Sequence, residues 1–415
     1  MPEAQLAPDV GKTPSVGRTF PAEGAKTRIM SGLRVVDVQT QRDRKAFVKF
    51  PMRLFADCPY FVPPLIMEEL ATFSPEKNPA FEMAEARLFL AYKGDEIVGR
   101  VAAILSHAAN GKNQTKNVRF GWFDSINDLE VASGLLGAVE SWARERGMLT
   151  VTGPQGFDEF DKAGMLTEGF ESLPTMATYY NYPYYNDLLD RCGYTKDIDS
   201  VEYLVRSMTE FPARLRELAQ KLMRRGKYRV VEFKTRRELM RRGDEILSLL
   251  QEAYWELYDY VPMTPRQRSR YIKKFLPVVN PQLVKTVVTD GAPHHVPGAA
   301  DGGEMVGFFI AVPSLSAALR KANGRLFPFG IYHLWKAMRP GNPLLDFGLA
   351  GVKKAHRGRG VDLLMGLKMF ESANKLGFKQ AESNPELETN LTVQREWRVV
   401  DHIIHRRRRI YKKVL

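Results

Sequence analysis

"GVKKAHRGRGVDLLMG", residues 351–366, lies between two apolar runs, "LLDFGLA" (344–350) and "VDLLMGLKMF" (361–370). The run before it reads as a strand. The run after it reads as a helix, with Val361, Leu364, Met365 and Met369 on one stripe. The seam is therefore a strand-to-helix turn made of Arg357-Gly358-Arg359-Gly360. A helix start leaves backbone N–H groups without acceptors and carries partial positive charge. Glycines at 358 and 360 let a ligand approach the backbone, and Arg357 and Arg359 add forked donors that match phosphate oxygens. The combination predicts a phosphate site. A basic turn with no ligand is the plainer alternative. Other phosphate motifs do not fit. There is no GxxxxGK[ST], "GKT" at 11–13 has no strand before it, and Gly358-Arg359-Gly360 lacks the third glycine of a dinucleotide fingerprint.

The same arrangement occurs twice along the chain. "GDEIVGRVAAIL" (94–105) is followed by "LLGAVESWARERGMLTVTGP" (135–154), and "GGEMVGFFIAV" (302–312) by "LMGLKMFESANKLGFKQAESNP" (364–385). Each copy has a short apolar strand with Val-Gly, then an amphipathic helix. Leu135, Val139, Trp142 and Ala143 form the stripe of the first helix. Each helix ends at a glycine, Gly147 or Gly377, and the strand after it stops at Pro154 or Pro385. Two α/β units are expected. Residues 1–33 read as a tail without the apolar core of a secretory signal, 34–207 as the first unit and 208–415 as the second. Between the units, residues 208–245 predict two basic amphipathic helices around the strand "YRVVEF".

The 415 residues include 61 Lys plus Arg and 48 Asp plus Glu, a formal charge of +13. That surplus favours anionic partners: nucleic acid, an anionic membrane surface or a phosphate-bearing cosubstrate. No nucleic-acid-binding signature is present, so no nucleic-acid partner is expected, and a nucleic-acid-binding protein is kept as the alternative from another class. Two cysteines, Cys58 and Cys192, argue against a zinc site and for a reducing compartment. No apolar run approaches the roughly 20 residues of a membrane span. His294 and His295 sit in a loop with no further ligand at metal spacing, so no metal is expected.

The loop and its flanks resemble motif A of the GCN5-related N-acetyltransferase (GNAT) superfamily, in which a strand, an Arg/Gln-x-x-Gly-x-Gly/Ala loop and a helix hold the pyrophosphate of coenzyme A. Arg357 and Gly360 match the first two fixed positions, and Asp362 stands at the third. "ESNPELETN" resembles the next strand, with Asn390 at the usual asparagine, and "RRRRIYKKVL" resembles the final strand. Trp397 occupies the place of the tyrosine that acts as general acid in many members. From about residue 34 onward the chain also resembles long bacterial GNAT proteins of the YghO type, a group that includes ceramide synthases. That resemblance is carried by "CPYFVPPLIMEE", "GDEIVGRVAAI", "FGWFDSINDLEVASGLL", "VTGPQGF", "PSLSAALRKANGRLFPFG" and "RGRGVDLLMG".

The resemblance implies an α/β (α+β) fold of two tandem GNAT-like units, each a mixed central sheet flanked by helices, with a degenerate first unit. It implies transfer of an acyl group from acyl-CoA, with acyl carrier protein as the other donor, to the amine of a sphingoid base. A small soluble amine or a peptide is the alternative acceptor. Gly351, Val352, Arg357, Gly358, Arg359, Gly360, Val361 and Asn390 are the expected coenzyme contacts. Attack by an amine requires a proton acceptor and a donor for the developing oxyanion. Glu382 on the strand after the motif A helix is the first candidate base, with Glu388 and His356 behind it. A backbone N–H within 349–352 is the candidate oxyanion donor. In "MATYYNYPYYNDLLD" (176–190), Tyr179, Tyr180, Asn181 and Tyr185 are candidates to line an acceptor pocket, with core packing as the alternative. The run Arg406–Arg409 is expected on a strand edge, in solvent or against an anionic leaflet, and the protein in the cytoplasm with peripheral contact at the inner membrane.

Overall fold

A computed structural model describes residues 32–276, 279–289, 303–397 and 399–415. The N-terminal half runs β1 (Leu33–Asp37), α1 (Gln41–Leu54), α2 (Ile66–Thr72), β2 (Ala84–Lys93), β3 (Glu96–Ser106), α3 (His107–Asn113), β4 (Asn117–Ser125), α4 (Leu129–Glu145), β5 (Thr150–Gly153), β6 (Met165–Glu168), α5 (Tyr184–Arg191) and β7 (Thr195–Val205). The C-terminal half runs α6 (Ala213–Arg224), β8 (Tyr228–Glu232), α7 (Arg236–Arg241), α8 (Gly243–Tyr254), α9 (Pro265–Phe275), β9 (Val284–Thr289), β10 (Met305–Pro313), α10 (Ser316–Ala322), α11 (Gly330–Ala337), β11 (Leu344–Val352), α12 (Val361–Lys375), β12 (Gln380–Ser383), β13 (Glu386–Leu387), α13 (Leu391–Trp397) and β14 (His402–Val414). His294 and His295 lie outside the described residues.

The two halves repeat one plan. In the first, β1 to β4 pair antiparallel in sequence order, and β5 then adds parallel to β4. In the second, β8 to β11 pair antiparallel and β12 adds parallel to β11. A parallel neighbour requires a crossover, and α4 and α12 supply it. The stripes read from the sequence are their buried faces. Leu135, Val139 and Ala143 on α4, and Val361, Leu364 and Met369 on α12, are wholly buried. Gly147 and Gly377 follow these helices with φ of +68° and +87°, the left-handed conformation that suits glycine after a helix end.

All these strands form one sheet, ordered β1-β2-β3-β4-β5-β14-β7-β12-β11-β10-β9-β8, with β6 paired to β14 and β13 to β7 off this path. The last strand of the chain thus enters beside the first half, between β5 and β7. β7, from the first half, lies between β14 and β12. Exchanging final strands ties the halves together through the middle of the sheet.

That central position corrects the expectation for the arginine run. Arg406 and Arg408 are buried, at 1% and 0% exposure, while Arg407 and Arg409 alternate to the other side. Arg406 Nε donates to Glu202 Oε2 at 2.6 Å and its Nη2 to Glu382 Oε2 at 2.9 Å. Arg408 Nε takes the other oxygen of Glu202, and its Nη1 donates to the Tyr179 carbonyl at 2.8 Å. A charge removed from water needs a partner, and Glu202, itself wholly buried, serves both guanidiniums. Burial acts to raise the Glu202 pKa, but the two guanidiniums outweigh it and hold the carboxyl below the usual range.

Candidate acyl-transfer site

β11 and β12 pair only from Leu344↔Gln380 to Phe347↔Ser383. Beyond that point β12 ends, and the chain turns through Asn384 into β13, which pairs with β7. β11 continues to Val352, paired there with β10 alone among the described residues. Among the described residues no strand pairs with its other edge from Gly348 onward, so β11 and β12 part into a crevice there. At the mouth of this crevice the β10–β11 register slips: Ile310 faces Leu349 and Ala311 faces Phe347, leaving Gly348 as the extra residue of a β-bulge. A bulge turns backbone groups out of the ladder. Asn384 Nδ2 donates to the Gly348 carbonyl at 2.8 Å and bridges the two parting strands.

The glycine-rich turn closes the far end of the crevice. Gly358 and Gly360 have φ of +70° and +82°. A Cβ on Gly358 would meet nothing within 4 Å, whereas one on Gly360 would come within 2.4 Å of Leu222 on α6. Gly358 is thus needed for its backbone conformation, and Gly360 also for packing. α12 has no side-chain cap, and the Gly360 carbonyl accepts from the Leu364 amide at 3.0 Å. The amides of Val361, Asp362 and Leu363 precede it, as the phosphate reading requires.

The two arginines of the turn have different surroundings. Arg357 donates through Nε to the Val352 carbonyl at 3.2 Å and through Nη2 to the Ala253 carbonyl at 2.9 Å. It fastens the loop to β11 and to the end of α8. Arg359 is exposed and makes no ion pair among the described residues, so it is the guanidinium placed to meet an anion. Gly351 packs closely on Phe308 and Ala253, and Val361 is buried beneath the turn beside Gly307. Asn390 accepts from the Val393 amide at 3.5 Å at the start of α13.

The first half handles the equivalent helix start in another way. The turn from β4 to α4 ends at Asp128, whose carboxylate accepts from the amides of Glu130 and Val131, at 2.9 and 3.4 Å, and pairs with Lys93. Its own carboxylate covers the amides that α12 leaves open, and repels a second anion.

The candidate bases separate clearly. Glu382 is buried and bound to Arg406. Burial raises its pKa, the arginine opposes the shift, and the carboxylate belongs to the Arg406–Glu202 network. Glu388 lies on the surface, pairing with Lys196 at 2.9 Å and accepting from the Asp199 amide at 3.2 Å. His356 is bound through Nδ1 to the Tyr228 hydroxyl at 2.9 Å, with its pKa lowered chiefly by burial.

Glu386 was not singled out in the sequence. Burial pushes its carboxyl up to about 8, and a hydrogen bond from Trp397 works in the opposite direction. Trp397 in turn stacks on Phe347, the last β11 residue paired with β12, with centroids 6.0 Å apart. Glu386 is thereby held where the strands part. The only sequence signal was Trp397 in the place of a tyrosine, since an indole is solely a donor and asks for an acceptor nearby.

Of the tyrosine-rich segment, Tyr180 and Tyr185 pack in the core of the first half, where Tyr185 reaches Asp124 at 3.3 Å. Asn181 binds both the amide and the carbonyl of Leu166, at 2.7 and 3.1 Å. Tyr179 is half-buried, its ring edge-on to Trp122 and beneath Lys162. These four residues gather along α5, β4 and β6, and Thr175 Oγ1, immediately before the segment, lies 3.4 Å from Asn384 Oδ1. Among the described residues no cluster of metal-ligating side chains occurs.

Comparison with known proteins agrees with this architecture. The chain is 27% identical over 392 residues to the bacterial ceramide synthase of Caulobacter vibrioides, covering 92% of this chain and 98% of that protein. It is 25% identical over 379 residues to protein YghO of Escherichia coli, covering 90% and 93%. Among solved structures, a tandem GNAT protein from the clavulanic acid biosynthesis pathway aligns over 92% of this chain and 98% of its own, with a TM-score of 0.50 at 14% identity. A fungal GCN5-related glucosamine N-acetyltransferase region aligns over 92% of this chain and 38% of its own, with a TM-score of 0.52 at 14% identity. No family model matches. The chain has the tandem GNAT fold.

Proposed function

We propose that this protein is an acyl-CoA-dependent N-acyltransferase whose acceptor is the amine of a sphingoid base. The observation that carries the reading is the open edge of β11, which leads from the Gly348 bulge to uncapped amides at the start of α12, with Glu386 at its mouth. Similarity along nine-tenths of the chain to a bacterial ceramide synthase supports the lipid acceptor.

In this reading the second half holds the donor. The amides of 361–363 and Arg359 hold the pyrophosphate, and Arg357 keeps the turn in place. Backbone N–H groups along 348–352 lie beside the acyl carbonyl and stabilise the oxyanion as it develops. Glu386 takes the proton of the attacking amine. An acid with a pKa near 8 is a stronger base than an ordinary carboxylate, which suits an ammonium acceptor. The acyl donor supplies a thioester already activated toward amines. With the boundary near 207/208, the first half, its own helix start capped by Asp128, has no part in donor binding and shapes the acceptor side.

Purified protein mixed with palmitoyl-CoA and a panel of amines (sphinganine, 3-ketosphinganine, spermidine and a lysine peptide) tests the reading by mass spectrometry. N-acylated long-chain base together with free coenzyme A is the expected product. Acylation of the soluble amines alone would move the acceptor to that class, and no product with any amine would remove the enzyme reading.

A further inference from the structure

The hairpin of α10 and α11 is the place on the surface where large apolar side chains concentrate. Phe327 is 66% exposed, Phe329 73%, Tyr332 53%, and Ile331 and Trp335 46% each. Within α11 only Gly330 is buried. The hairpin is nevertheless anchored at its base. Ser316 Oγ donates to the Pro174 carbonyl at 2.6 Å, and the Gly324 carbonyl accepts from the Ile66 amide at 3.0 Å. It is a fixed structure that presents aromatic rings to solvent, which a water-facing surface alone does not account for.

Within its own segment of chain the hairpin carries charge of one sign. Between Glu304 and Asp346 the chain carries no acidic residue, whereas Arg320, Lys321, Arg325, Lys336 and Arg339 all lie in the hairpin or its flanks and all are exposed. Arg339 sits over the Trp335 ring, 3.7 Å from its centroid, so an exposed indole and a cation share one position. Exposed phenylalanines with tyrosine and tryptophan beside them, in a segment whose charged residues are all lysine and arginine, match the cross-section of an anionic bilayer surface. There, rings enter the headgroup boundary and cations meet lipid phosphates.

We infer that α10–α11 is a membrane-docking surface that seats Phe327, Phe329 and Trp335 in an anionic bilayer. The hairpin enters β11 at Leu344, and the glycine-rich turn leaves β11 after Val352, so bilayer contact and the donor site occupy opposite ends of one strand. The buried arginines of β14 take no part. The inference stands apart from the acyl-transfer reading, because it is measured with vesicles alone.

The test is sedimentation with vesicles of phosphatidylcholine, with or without 30% phosphatidylglycerol, in the absence of any acyl donor. The wild-type chain should sediment with the anionic vesicles. Phe327→Ser/Phe329→Ser/Trp335→Ser should weaken that binding about tenfold or more, and Lys336→Glu/Arg339→Glu should abolish the preference for anionic lipid. Because the replaced rings are exposed, circular dichroism melts should match the wild type. Trp335→Phe keeps an aromatic ring and tests the contact directly: it should bind, yet lose most of the fluorescence quenching caused by brominated lipids. Wild-type binding by the triple variant, or undiminished quenching in Trp335→Phe, would overturn the inference. So would a dimer in sedimentation velocity that the triple variant dissolves, with no vesicle binding by the wild type, since the face would then cover a second copy.

Discussion

The indole Nε1 of Trp397 donates to Glu386 Oε2 at 2.8 Å, and the same ring stacks on Phe347 where β11 and β12 separate. One side chain thus fixes the direction of the candidate base and marks the mouth of the crevice. Burial alone would raise the Glu386 pKa further, and the indole hydrogen bond restrains it at about 8.

Glu386→Gln keeps the shape and removes the basicity. The expected result is a fall in kcat of about 10²-fold or more with a modest change in KM. The rate of the wild type should rise with pH through about 8, and the variant should lose that limb. Glu382→Gln should leave the limb in place. A variant Glu386→Gln with the wild-type pH profile would assign the base elsewhere.

Trp397→Phe keeps the stacking and deletes the donor. Since that hydrogen bond lowers the Glu386 pKa, its loss should move the midpoint of the activity limb to higher pH. Steady-state rates across pH 6–10 measure the shift, and a midpoint moving down would contradict the assignment.

The raised carboxyl also has a stability signature. In the unfolded chain Glu386 titrates near 4.5, and in the folded chain near 8. Between these values the native state binds the extra proton, so the Glu386 contribution to stability is present below about 4.5 and is lost as pH rises toward 8. Urea midpoints of Glu386→Gln should therefore improve relative to wild type from pH 5 to pH 8. A difference that is flat with pH would mean that Glu386 ionises freely.

Gly358→Ala and Arg359→Ala separate the parts of the turn. The first forces a side chain into φ of +70°, a cost of about 1–2 kcal/mol, and should distort the amide cradle. The second leaves the fold unchanged. Both should weaken acyl-CoA binding by calorimetry, Arg359→Ala by about tenfold, as loss of one charged phosphate contact implies. Unchanged affinity in both would remove this turn from donor binding.

Glu202→Gln strips the buried arginines of their shared counter-charge. A loss of about 3–5 kcal/mol is expected from leaving such charges unpaired. Glu202→Gln should therefore unfold at a markedly lower urea concentration than Arg409→Gln, whose partner Asp199 lies near the surface. Equal midpoints would show that the central network adds little.

Local pattern determined much of this protein. The apolar stripes on α4 and α12, the glycines after each helix and the Gly-Arg turn are periodic or conformational signals over a few residues, and each is found in place. The two-unit plan followed from their repetition. Tertiary structure decided what depends on distant neighbours. "RRRR" contains no alternation, so nothing local distinguishes Arg406 and Arg408, turned inward onto Glu202, from Arg407 and Arg409. Their burial follows from the insertion of β14 between β5 and β7, pairings that span about half the chain or more. Glu386 had no motif of its own, because its basicity comes from desolvation and from the donor Trp397 beside it. Glu382, on the expected strand, faced Arg406 instead. Residue types set which elements form, while the charges those elements bury depend on which strands become neighbours in the sheet.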